Sequence, residues 1–232
     1  LMLNLSFDPE LRQQMVDGGV ALLPKLVNLL QKPPFRAVVL RLLYHFSIDD
    51  GRKQELGVMV PETIPLVMQL IEHFPERKLA SELVALAVNL SVHGKCAEKM
   101  TERDGLKMLV DRVMRHGDPN LMKLIRNISQ WTRSKQESGH APRPYASDEE
   151  DDAHASVRGR PAYQYNHGRL WGAHMESLIE LLKRSVPTAT GDPELLVEVM
   201  GTLGNLTPSD IGERADWYQL LDDVKHDSGG ER

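Results

Sequence analysis

The chain has 232 residues, 41% of them apolar, with 28 basic and 33 acidic side chains and a formal charge of −5. Its length and apolar content suffice for one large domain or a repeat array, and the mild acidity gives no electrostatic footprint for nucleic acid or an anionic membrane. A single cysteine, Cys96, excludes an intrachain disulfide and favours the cytosol; with no run of 18 apolar residues and no basic-then-apolar opening, neither membrane insertion nor secretion is expected.

The sequence opens on "LMLNLS", within a helix-like apolar segment and without an initiator methionine, so it is expected to be a fragment of a longer protein. Asp8-Pro9-Glu10 then places an N-cap acid before a proline at the first helical position, which marks a helix start. "MVDGGV" (15–20) should end that helix and turn sharply into a second, carrying "LVNLL" (26–30) behind Pro24. A third helix ends in "LLYHFS", around His45.

The order then returns. "VMQLI" (67–71) follows Pro65, and an 81–91 helix, apolar nearly all round, carries Asn89 near its end. A helix apolar on every side is buried between neighbours. "MTERDGL" (100–106) is again an Asp-Gly turn, followed by "LVDRV" (109–113), an Asp118-Pro119 helix start and "LMKLIRNIS" around Asn127.

After Thr132 the period stops. Residues 133–169 carry several Pro and Gly and the acidic run Asp148 to Asp152. They offer too little apolar surface to offset ordering entropy, so a disordered insertion is expected. Ser147, directly followed by that acidic run, resembles an acidic-kinase phosphosite; the plainer reading is a solvated acidic tether. From 170 the helices resume with "LIELL" (178–182), the first helix of this unit being short or missing. Asp192-Pro193 opens another third helix ending around Asn205, and Trp217, Leu220, Leu221 and Val224 are spaced as the start of a further unit. The expected organisation is therefore helical repeats over 1–132, the insertion over 133–169, further repeat over 170–225 and a polar tail over 226–232.

Asn4, Asn89, Asn127 and Asn205 each begin an N-x-[ST] glycosylation pattern, and His45 occupies the same place in "LLYHFS". Their separations are 41 (4 to 45), 44 (45 to 89), 38 (89 to 127) and 78 (127 to 205), the last being one unit plus the insertion. Glycosylation needs an exposed loop, whereas these residues lie on packed helices, so the patterns read as a by-product of a repeat. Three helices per unit of about 40 residues is the armadillo plan. The expected fold is all-α, an armadillo-repeat right-handed superhelical solenoid interrupted by one long disordered insertion. One Asn or His per unit then forms a ladder with donor and acceptor capacity. Asn4, His45, Asn89, Asn127 and Asn205 either grip an extended peptide in a groove or bond across neighbouring units, and the sequence leaves that choice open.

No catalytic constellation is present. His93 and Cys96 form a thiol–imidazole pair only on paper, without an orienting third group. The histidines of the insertion lack zinc spacing, Gly201-Thr202-Leu203-Gly204 lacks a phosphate loop's lysine, and Asp49-Asp50-Gly51 lacks a calcium loop's ligands. No cofactor or metal is expected.

"MVDGGVALLPKLVNLL" resembles the armadillo family's first-turn-second-helix pattern, in which the asparagine near the end of helix three faces the groove of peptide-gripping members. Import receptors of that family add a tryptophan four residues earlier; Arg41, Ala85, Lys123 and Gly201 stand there instead, so binding of basic import signals is not implied. More narrowly, "LRLLYHFSIDDGRK" (40–53), "DGLKMLVDRVMRHGDPNLMKLIRNISQ" (104–130) and "VMGTLGNLTPSDIGERADW" (199–217) resemble the kinesin-associated protein family, the non-motor subunits of heterotrimeric kinesin-2. That resemblance implies a cytoplasmic, microtubule-linked adaptor that binds motor-subunit tails and links them to cargo moved along cilia and flagella.

Overall fold

The computed structural model describes residues 1–17, 22–137, 171–186 and 192–206. All regular structure among them is helical. A four-residue helix α1 (Met2–Leu5) is followed by a first unit of α2 (Pro9–Asp17), α3 (Leu22–Leu29) and α4 (Pro33–Phe46). The second comprises α5 (Asp50–Gln54), which winds on as a π-helical turn (Glu55–Met59), α6 (Thr63–Glu72) and α7 (Ser81–Ser91). The third holds α8 (Gly94–Thr101), a 3₁₀ turn (Glu102–Asp104), α9 (Gly105–His116) and α10 (Pro119–Glu137), and the fourth α11 (Met175–Ser185) and α12 (Pro193–Asn205).

The three Asp-Pro starts cap alike. Asp8 Oδ1 accepts from the backbone N–H of Glu10 and Leu11 at 2.8 and 3.1 Å. Asp118 does so from Asn120 and Leu121 at 3.0 and 3.4 Å, and Asp192 from Glu194 and Leu195 at 3.0 and 3.2 Å. Each carboxylate satisfies donors that a helix start leaves orphaned.

The core runs along the stack rather than collecting at a centre. In α7, Leu83, Val84, Leu86, Ala87 and Leu90 are buried, because α4 packs on one side of the helix and α10 on the other. Each such leucine contributes about 1.5–3 kcal/mol of transfer free energy. Beyond the interrupted stretch, α10 packs directly on α12 and α9 on α11, where the Arg184 guanidinium donates to Met114 O at 3.0 Å. The third and fourth units are therefore neighbours despite the 78-residue spacing.

The expected turn at Asp104-Gly105 is present, and one boundary departs from expectation. The Asp-Gly turn at 104–105 does not put the left-handed backbone on glycine: Arg103 (φ 50°) and Asp104 (φ 63°) take it, and Gly105 is right-handed at φ −57°. Glycine is needed there for approach, since a Cβ on it would stand 2.0 Å from Met100 O. The left-handed glycine of this region is Gly117 (φ 64°), which ends α9 and donates to Val113 O at 2.7 Å. The departing boundary is the start of the insertion. Helix α10 runs to Glu137, past Thr132, because Arg133, Lys135, Gln136 and Glu137 are good helix formers even without an apolar face. The rest of the expected insertion with Ser147, and the segment around Trp217 with the polar tail, lie outside the described residues.

Candidate functional site

The geometry that repeats along the stack lies where each third helix ends. Asn89 Nδ2 donates to Ser47 Oγ of the preceding unit at 3.0 Å. Asn127 Nδ2 donates to Ser91 Oγ at 2.9 Å and Val88 O at 3.3 Å. Asn205 Nδ2 repeats this onto Ser129 Oγ and Arg126 O at 2.9 and 3.3 Å. His45 takes the same step with its Nδ1 at 2.7 Å from Ser6 Oγ. Every expected ladder residue except Asn4, which is exposed and makes no side-chain bond among the described residues, thus reaches back one unit.

The serines fix the direction of these bonds. Ser6, Ser47, Ser91 and Ser129 are fully buried, and each hydroxyl lies 2.7 Å from the carbonyl three residues back, at Leu3, Tyr44, Val88 and Arg126. A hydroxyl has one proton. With that proton committed to its own helix, as serines in helices commonly do, Oγ can only accept. The amide nitrogen of each asparagine must therefore face it, and neutral His45 carries its proton on Nδ1. Asn89, Asn127 and Asn205 are half-buried, and their Oδ1 atoms have no protein partner among the described residues.

The N-x-S pattern is accordingly no by-product. Its asparagine bonds backward and its serine, two residues on, receives the next unit's donor. Sequence reasoning missed the serines, although "HFS" showed that serine persists where asparagine does not.

Cross-unit ion pairs flank this seam. Arg12 forks onto both carboxylate oxygens of Asp49 at 3.1 and 3.2 Å and donates to Ser6 O at 2.8 Å. Arg52 reaches Asp17 at 2.6 Å, Arg41 reaches Glu82 at 2.9 Å, and Arg126 reaches Glu198 at 3.2 Å. Between the second and third units, buried Arg112 donates instead to Phe74 O and Glu76 O at 3.3 and 2.8 Å.

His93 and Cys96 do meet, with Sγ 3.7 Å from Nδ1 and 3.8 Å from Lys53 O. Burial pushes the thiol up to about 11 and the imidazole down, so the pair is thiol and neutral imidazole, opposite to an activated nucleophile. The same contact seats α8 on the π turn, where Lys99 Nζ donates to Gly57 O at 3.1 Å. A cleft of about 800 Å³ between α6 and α9 mixes Glu72, Asp104 and Asp111 with Lys99, Arg103 and Lys107, favouring neither sign of ligand charge. Among the described residues no group of three or more potential ligands could hold a metal, and no helix is long and apolar enough to cross a membrane.

The histidines give the stack a pH dependence. Burial, with Arg12 beside it, depresses His45; burial depresses His93 and His174 as well. The unfolded chain therefore binds these protons more readily, so their stabilisation is complete above about pH 6.5 and is lost as pH falls below it. The urea midpoint should be lower at pH 5.5 than at pH 7.5, a range that keeps clear of carboxylate protonation, and His45→Asn should reduce the difference. Equal midpoints at the two pH values would exclude the effect.

One family model matches: Kinesin-associated protein (KAP), over residues 1–140. The match spans the first three units and three of the four seam bonds, more than half the chain. Stacked helical units joined by buried polar seams make up the matched span. The chain belongs to the kinesin-associated protein family.

Proposed function

We propose that this chain is an armadillo-type, right-handed solenoid serving as the non-motor subunit of a heterotrimeric kinesin-2 complex. It binds the tail regions of the two motor subunits and links them to cargo carried on microtubules of cilia and flagella, working in the cytoplasm and at the ciliary base. The observation that carries the reading is the register of the stack. Three-helix units of about 40 residues, bonded side by side through one repeated seam, present a long continuous surface within a chain of the kinesin-associated family. Such a surface suits tethering of two tails and a cargo.

A pull-down of kinesin-2 tail segments by the chain tests this. Tails are expected to be retained and to elute as a complex; failure of the chain to capture either tail would sink the proposal. The second reading, an extended peptide held by the ladder, has one Oδ1 acceptor in each of the second, third and fourth units to work with, because the Nδ2 donors of Asn89, Asn127 and Asn205 are committed to the seam. It predicts that Asn89→Ala with Asn127→Ala weakens peptide capture while the stack stays folded.

A further inference from the structure

Three of the four seam serines, Ser6, Ser47 and Ser91, are followed by an apolar residue that the stack does not cover, whereas Ser129 is followed by Gln130. Phe7 is 68% exposed, Ile48 47% and Val92 50%. Ile48 and Val92 have units on both sides, so their exposure belongs to the position in the repeat and not to an end of the array. Phe7 lies edge-on to the His45 ring at 4.5 Å, three residues before Ile48 in the chain. Single exposed apolar residues are ordinary; the same position left open in three consecutive units is a row.

Charge distinguishes the first two members. Around Phe7 and Ile48 the carboxylates Asp8, Glu10, Asp17 and Asp50 are exposed, Asp50 to 94% of its side chain. The cations nearby are turned inward: Arg12 is buried against Asp49, and Arg52 and Lys53, both largely buried, pair with Asp17 and Asp50. At the third unit the acids stop, because His93, Gly94 and Lys95 follow Val92. The edge of units one and two is thus apolar at its centre and acidic at its rim.

We propose that the edge formed by Phe7 and Ile48 with Asp8, Glu10 and Asp50 is a docking surface for a partner-protein segment combining apolar and basic side chains. Apolar contacts would supply affinity and the rim would supply steering and register. A second copy of this chain is the poorer occupant, since a two-fold contact through this edge would set its acids against themselves. The proposal does not depend on the partner being a motor tail.

The test uses the whole chain and fluorescence anisotropy with a short labelled peptide alternating leucine and lysine. Two controls replace its lysines by glutamate or its leucines by serine. The leucine–lysine peptide should bind, more weakly as salt is raised, and neither control should compete. Phe7→Ser with Ile48→Ser should weaken binding by about tenfold or more, as should Glu10→Lys with Asp50→Lys, with unchanged circular dichroism because all four side chains are exposed. Binding that survives both double variants, equal binding of the glutamate peptide, or no binding would overturn the proposal. Self-association in sedimentation that disappears in Ile48→Ser would overturn it in favour of a second copy.

Discussion

Gly105→Ala should destabilise the chain by at least about 3 kcal/mol, the upper range for overpacking at a site with no room to relax. The obstacle to a Cβ is backbone: Met100 O at 2.0 Å and Met100 C at 3.1 Å. Relief would require α9 to back away from α8, yet the link between them is already set by left-handed Arg103 and Asp104, at about 1–2 kcal/mol each for non-glycine residues. Moving α9 would also pull buried Arg112 from the carbonyls that hold the α6–α7 connection. Gly51→Ala is the control, since nothing lies within 4 Å of its added methyl and alanine favours the helix by up to about 1 kcal/mol. Urea titration of the two variants makes the comparison; equal midpoints would show that Gly105 has no role in the approach.

The seam between α7 and α10 should lose about 1–2 kcal/mol on Asn127→Ala and a similar amount on Ser91→Ala, the cost of leaving a buried partner unmatched. The double variant should lose less than the sum by about 1 kcal/mol, because each single change already breaks the 2.9 Å bond between them. A groove-lining asparagine without structural duty would behave differently, with no stability change in Asn127→Ala and strict additivity in the cycle. Chemical denaturation of the four proteins separates these outcomes. Ser91 also donates to Val88 O, so Ser91→Ala carries an extra contribution that the cycle removes.

Much of the architecture was legible because helix signals are local. Asp-Pro starts, prolines at the third position of α3 and α6, and the all-round apolar character of α7 need only neighbouring residues to be read. What failed to show was settled by partners distant in sequence. Whether Asn89 faces a groove or a neighbour depends on Ser47, 42 residues away, and the acceptor role of that serine depends on where its one proton goes. The turn at Asp104-Gly105 was legible but the reason for its glycine was not, as the need at 105 arises from close approach to Met100 and not from the backbone angle. The extent of α10 past Thr132 rests on propensity without apolar period, a signal that pattern matching discards.

The serine protons give the seam a polarity. Each unit offers an acceptor at one face and a donor at the other, so it mates head to tail and never head to head. Two identical faces would bring donor to donor or acceptor to acceptor, which makes this a heterologous contact and not one that an isologous dimer can use. A unit ending in Asn-x-Ser is also a valid neighbour for another copy of itself. Duplicating the second or third unit in tandem would close the seam at the new junction with the bonds it already uses, whereas reversing the order of donor and acceptor within one unit would open the array at both of that unit's faces.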